Sequence, residues 1–229
     1  MILLAVDTSG KNGSIALVRV SMGADKSNYG LETLEVLPLE GGTFSAQLVP
    51  QIATMLTRHG FNKSEIAGFA AVSGPGSFTG LRVGLAAIKA LAEVLCKPIA
   101  AVSLLEAVAQ SGEARGKVVA ALDAGRGEIY AGQYEVSVEA DAQCLREQLV
   151  LPAELAGLAA GCPVITPDEK LAMVGQSHGL SVESIPYPRS DVIARIGWKR
   201  IAAGRTISPE DLEANYIRRS DAEIFAKIS

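Results

Sequence analysis

The chain has 229 residues, 48% hydrophobic and 20% charged, a globular balance that excludes a disordered protein and leaves room for a substantial core. A net charge of −4 and a pI near 5.3 argue against a surface that grips nucleic acid unaided. Neutralising many phosphates needs a basic stripe, and the basic residues here cluster only in Trp198-Lys199-Arg200 and Arg218-Arg219. A nucleic-acid surface completed by a partner stays open.

No apolar run reaches the roughly 18–20 residues of a membrane span. The opening "MILLAVDTSG" lacks a basic n-region and runs into Asp7, so it reads as a first strand, not as a signal peptide. Cys96, Cys144 and Cys162 are odd in number, widely spaced and without a CxxC, which fits reduced thiols in a cytoplasmic protein.

"ILLAVDT" is expected to be a buried strand, "SGKNG" (9–13) a turn, and "SIALVRV" (14–20) the returning strand of a hairpin. Residues 21–30 read as a loop and "LETLEVLPL" (31–39) as a third strand with period two. A helix follows from about Thr43 to His59, with Leu48, Ile52 and Leu56 on one stripe and Gly60 as its stop. "IAGFAAVS" (66–73) is a short buried strand, followed by a glycine-rich loop and a long helix to about Cys96, which Pro98 ends. "PIAAV" (98–102) is a further strand. "SLLEAVAQSG" is a helix with Ser103 and Glu106 at capping-box spacing.

The second half echoes the first. "LLAVDTSGKNGSIAL" (3–17) and "VVAALDAGRGEIYAG" (118–132) both give an apolar strand, an aspartate, a small-residue turn and a second strand, so Asp7 and Asp123 hold equivalent places. A third strand near 145–151, a helix from Pro152, a strand at 163–166 and a helix at 190–203 continue the register. The pattern predicts an α/β fold of two related repeats, each a mixed sheet flanked by helices. The division is expected between residues 111 and 112.

The loop "VSGPGSFTGLRVGL" (72–85) lies between strand and helix, where anions are commonly held. It is not a P-loop, because Leu81 and Arg82 follow Gly80 where lysine and a hydroxyl residue are needed. It is not a dinucleotide fingerprint either, since Thr79 stands in place of the third glycine. Gly74, Pro75 and Gly76 make a tight turn, and Ser77 or Thr79 can cap the helix. The glycines can equally serve close approach of helix and sheet.

In that helix Leu81, Leu85, Ile88, Leu91, Ala92 and Leu95 form the core stripe. Gly84, Ala86, Ala87 and Ala90 add small side chains, and the preceding helix offers Ala46, Val49 and Ala53 beyond its own stripe. Two such flanks can form a docking face or serve ordinary α/β packing.

His59 and His178, the only histidines, each precede a glycine and suit helix ends better than catalysis. With no HExxH, a metallopeptidase is disfavoured. Asp7 and Asp123 could hold magnesium in a small actin-like ATPase or kinase, but "VITPDEKLAMVGQSHG" (164–179) lacks an adenosine-binding glycine loop. Asp7 can also simply close its own turn through Thr8 and Ser9.

The stretches "LLAVDTSGKNGSIAL", "SGPGSFTGLRVGLAAIKALA" (73–92), "VSLLEAVA" (102–109), "LDAGRGEIYAG" (122–132) and "NYIRRSDAE" (215–223) together resemble the TsaB (YeaZ) family. That family supplies the non-catalytic paralogue of TsaD in bacterial synthesis of N6-threonylcarbamoyladenosine at position 37 of tRNA. The resemblance implies an actin-like (ASKHA, RNase H-like) fold and no turnover by this chain alone. It implies TsaD and TsaE as partners, with ATP and metal bound by partner subunits, no cofactor on this chain, and tRNA met only in the assembled complex.

It also implies that helices 44–59 and 79–96 dock TsaD, with a homodimer using a similar surface. The remnant of an ancestral phosphate loop is then Asp7, Thr8, Ser9, Gly74, Pro75, Gly76, Ser77, Phe78, Thr79, Gly80 and Arg82. Two stretches depart from the family's pattern: "GGTFSAQLVP" (41–50) lacks a histidine that relatives often carry, and Gly125 stands where a basic residue is frequent.

Overall fold

The computed structural model describes residues 1–23, 29–137 and 141–218. Part of the loop expected at 21–30, Arg219 and the end of "NYIRRSDAE" lie outside the described residues. The chain forms two compact units, Met1–Val102 with Arg189–Asn215, and Ser103–Pro188 with the described residues from Tyr216 on.

In the first unit β1 (Ile2–Asp7), β2 (Asn12–Met22) and β3 (Tyr29–Glu40) form an antiparallel meander, with Leu4 opposite Leu17 and Asp7 opposite Ser14. Helix α1 (Phe44–Arg58) leads to β4 (Ile66–Gly74), which runs parallel to β1. Helix α2 (Phe78–Leu95) then leads to β5 (Ile99–Ser103). The sheet order is β3-β2-β1-β4-β5.

All six residues of β1 are buried, because both faces of the sheet are covered. Ile2, Leu4, Val6, Ile15, Leu17 and Phe69 meet Leu48, Ile52, Met55, Leu85 and Ile88 of α1 and α2 in one apolar core. The opposite face receives α6 (Ser190–Ala202), which packs on β1, β2 and β4. That approach is close: a Cβ at Gly197 would stand 2.4 Å from the Ala70 Cβ. Residues after α6 continue along this unit. Ile207 bridges to Ile99 of the edge strand β5, and Leu212 is buried in the core.

The second unit repeats the plan. Helix α3 (Leu104–Ser111) precedes β6 (Gly116–Gly125), β7 (Glu128–Val136) and β8 (Gln143–Val150). Helix α4 (Pro152–Ala159), β9 (Val164–Thr166), α5 (Glu169–Ser177) and β10 (Val182–Ser184) follow. The order β8-β7-β6-β9-β10 reproduces the first sheet, with β6 antiparallel to β7 and parallel to β9. Val119, Ala121, Ile129 and Ala131 on one face pack with Leu155, Ala159 and Leu171 of α4 and α5, and α3 packs on β6 and β7.

Each sheet thus takes one helix from the end of the other repeat: α3 follows β5 but belongs to the second unit, and α6 follows β10 but belongs to the first. A division between residues 111 and 112 follows chain order, whereas contacts place α3 with the later strands and Arg189–Asn215 with the earlier ones. Sequence reading did not anticipate α5 or β10. The capping box expected of Ser103 and Glu106 does not form. Ser103 occupies the N-cap position but makes no side-chain cap bond, because its hydroxyl donates to Glu147 instead.

Candidate functional site

The turn after β1 is built on Asp7, which is buried. Its Oδ1 accepts the Ser9 N–H at 2.8 Å and the Ser9 hydroxyl at 2.5 Å, the local Asx turn expected. Burial pushes the Asp7 carboxyl above the usual carboxylate range, against the two Ser9 bonds that pull it down.

This turn lies against the start of α2. The Thr8 hydroxyl donates to the Gly80 carbonyl at 2.8 Å, and the Ser77 N–H donates to the Ser9 carbonyl at 2.6 Å. Of the two candidate caps, Ser77 takes the role, its Oγ accepting the Gly80 N–H at 3.3 Å. Thr79 is exposed, while Phe78 is half-buried beneath the Arg82 guanidinium, 3.7 Å from the ring centroid. Gly74 precedes Pro75 through a cis peptide bond, and the Asn215 N–H donates to the Ser73 carbonyl beside it at 2.7 Å.

Spacing explains the glycines. Positions 76, 80 and 84 recur every four residues and form a trough on one side of the loop and helix. A Cβ would meet the Ser9 carbonyl oxygen at 2.5 Å from Gly76, the Thr8 carbonyl oxygen at 2.0 Å from Gly80, and the Thr8 Oγ1 at 2.2 Å from Gly84. The trough is filled by the protein's own Thr8 and Ser9, main chain against positions 76 and 80 and the Thr8 side chain against position 84. Gly84, expected on a docking face, is therefore buried against Thr8 and contributes nothing to an outer surface.

Asp123 repeats the local chemistry of Asp7 in a different setting. Its Oδ1 accepts the Gly125 N–H at 2.8 Å, again two residues on, but the side chain is exposed, and its own N–H donates to Asp168 at 2.8 Å. Arg218 holds the same turn of the second unit, donating to the Ala124 carbonyl at 3.0 Å and pairing with Glu128. His178 donates to the Val174 carbonyl at 2.8 Å, closing a helix end as expected, while His59 pairs with Glu35 at 2.8 Å on β3. Among the described residues no group of three His, Cys, Asp or Glu side chains could hold a metal ion. No described helix is long and apolar enough to cross a membrane.

Helices α1 and α2 pack side by side with their apolar stripes on the sheet, leaving an outer face of small residues. Ala46, Val49 and Ala53 of α1 are exposed, and so are Ala86 and Ala90 of α2. Ala87 is half-buried against the core. Pro50 and Val94, not singled out in the sequence, extend this face, with Val94 75% exposed and Val49 49%. Helix α1 carries no charge before Arg58, whereas α2 exposes Arg82 and Glu93 beside these small and aliphatic side chains.

Sequence reasoning also missed a buried polar group in the second unit. The Tyr134 phenol and the Ser103 hydroxyl both donate to the Glu147 carboxylate, and burial reinforced by that carboxylate drives the Tyr134 phenol far above its usual range. The signal was legible only with the β7–β8 register in hand.

Comparisons with known proteins agree with one another. The family model described as "TsaD: tRNA N6-adenosine threonylcarbamoyltransferase" matches residues 40–204. The tRNA threonylcarbamoyladenosine biosynthesis protein TsaB of Escherichia coli K12 is 27% identical over 239 aligned residues, covering 97% of this chain and 96% of that protein. TsaB of Bacillus subtilis 168 is also 27% identical, over 93% of this chain and 85% of its own. In structure, YeaZ from Pseudomonas aeruginosa superposes with a TM-score of 0.71 at 24% identity, covering 94% of this chain and 99% of that one.

Proposed function

The chain belongs to the TsaB (YeaZ) family, and from that premise we propose that it serves tRNA threonylcarbamoyladenosine biosynthesis as a docking and activating subunit for a TsaD-type transferase. The observation that carries this reading is the exposed face of Ala46, Val49, Ala53, Ala86, Ala90 and Val94 on two adjacent helices. Small side chains let a second helix pair approach closely, and aliphatic groups of this kind gain about 25 cal/mol for each Å² removed from water.

The TsaD family model matches from residue 40, just before α1, and so takes in both helices of this face. Like faces pair across a twofold axis, which also makes a homodimer through this surface the state of the isolated chain. In this reading ATP and metal are bound by the partner subunits, this chain carries no cofactor, and TsaE and tRNA are met in the assembled complex. The trough of Gly76, Gly80 and Gly84 then sets the position of α2 by docking it on Thr8-Ser9, and so aims the face it presents.

Sedimentation of the chain with and without its cognate TsaD-type protein at micromolar concentration tests the proposal. A heavier species is expected, and Ala86→Trp is expected to remove it without lowering the melting temperature. Intact binding by Ala86→Trp would place the interface elsewhere.

The equivalent turns at Asp7 and Asp123 favour one other reading, a small magnesium-dependent ATPase or kinase. Titration with magnesium-ATP separates the two, since low-micromolar binding by the isolated chain supports only the second.

A further inference from the structure

Helix α1 carries a proline in its interior, Pro50. Proline has no N–H, so the Ala46 carbonyl lacks the i+4 donor that helical geometry otherwise supplies, and the ring turns that carbonyl away from the helix axis. Neighbouring carbonyls on the helix are differently placed. That of Pro50 accepts the Thr54 hydroxyl at 2.9 Å and that of Ala53 the Thr57 hydroxyl at 3.0 Å. Ala46, Val49 and Pro50 are all exposed, so the acceptor belongs to the same small apolar face that the docking reading uses.

We infer that the Ala46 carbonyl is a hydrogen-bond acceptor site of that face, filled in the complex by a side-chain N–H or O–H on the facing helix of the TsaD-type partner. The inference rests on the docking reading. Ala46 and Pro50 are exposed, so in the free chain the carbonyl is open to water. A covering helix expels that water, and an acceptor left unpaired in an apolar interface disfavours the complex by roughly tenfold to a hundredfold. A partner with a donor at this point avoids that loss. A surface built mainly of small and aliphatic side chains thereby gains a fixed register and discriminates against apolar helices that merely fit its shape.

Two substitutions separate the carbonyl from the ring. Pro50→Ala and Pro50→Val both restore an N–H that pairs with Ala46 inside the helix, and valine keeps much of the ring's bulk. Titration calorimetry against the cognate TsaD-type protein is expected to show both binding about tenfold more weakly than the wild type. Neither melting temperature is expected to fall, because a helix-interior proline is replaced by a residue with an N–H.

Wild-type affinity in Pro50→Val would overturn the inference, since ring bulk and not the carbonyl would then be what the partner uses. In that case loss of binding by Ala86→Trp would leave the docking reading standing. Failure of the wild-type chain to bind would remove both together.

Discussion

Replacing Gly80 with alanine probes the contact that seats α2 on the first turn of the chain. In a helix the change by itself favours folding by about 1 kcal/mol. Here the new Cβ would sit 2.0 Å from the Thr8 carbonyl oxygen, so turn and helix must separate. Overpacking of this kind costs about 1–3 kcal/mol, and the Thr8–Gly80 hydrogen bond adds about 1 kcal/mol when lost. The net effect is a destabilisation of about 1–3 kcal/mol, and at roughly 2–4 °C per kcal/mol the melting temperature falls by roughly 2–12 °C.

Gly84→Ala meets a different obstacle. The Thr8 Oγ1 stands 2.2 Å away, but the next atom, the Thr8 Cβ, is at 3.4 Å. Removing the hydroxyl with Thr8→Ala should therefore free position 84 and leave position 80 blocked by main chain. Thermal unfolding followed by circular dichroism is expected to rank Thr8→Ala/Gly84→Ala at or above Thr8→Ala alone, and Thr8→Ala/Gly80→Ala clearly below it. Equal melting of the two double variants would refute the reasoning, because it would mean that the Thr8 main chain is not the barrier.

Two further predictions concern the first unit. Because the folded pKa of Asp7 lies above its unfolded value of 3.8, the stability linked to its proton is fully present below about pH 3.8 and is lost as pH rises through the folded pKa. Asp7→Asn keeps an acceptor for Ser9, so it should melt above the wild type at pH 7 and converge with it in acid; a difference constant with pH would contradict this. Leu212 is 1% exposed in the core beyond α6, so Leu212→Ala should cost about 2–4 kcal/mol, a drop of roughly 4–16 °C. A change under 2 °C would show that this segment does not help hold the unit together.

Much of the fold was legible because its signals are local. The strand–Asp–turn–strand pattern at residues 3–17 and 118–132 announced the duplication, and both sheets have the same order. Helix α2 could be placed at about 79–96 because its core stripe has helical period and Ser77 or Thr79 offers a cap, and in the structure that cap is Ser77. By contrast, β10 is three residues long and α5 interleaves Leu171, Ala172 and Gly175 with polar positions, too little pattern to separate from loop.

The proposed docking face was half legible for a related reason. Periodicity showed which flank of α2 carries small residues, but a small side chain reads alike whether it is exposed or pressed against backbone. Ala86 and Ala90 proved exposed, and Gly84 buried on Thr8.

By itself, then, the amino-acid sequence determined most of the elements, their duplication, and the serine or threonine cap that opens α2, since each depends on residues within a few positions of one another. The tertiary structure alone decided which sheet receives α3 and which receives α6, why Ser103 serves Glu147 in place of its own helix, and that the glycine trough holds Thr8 and Ser9. Those outcomes turn on contacts between residues far apart in the chain, where what matters is how closely two surfaces meet, and no spacing along the sequence encodes that distance.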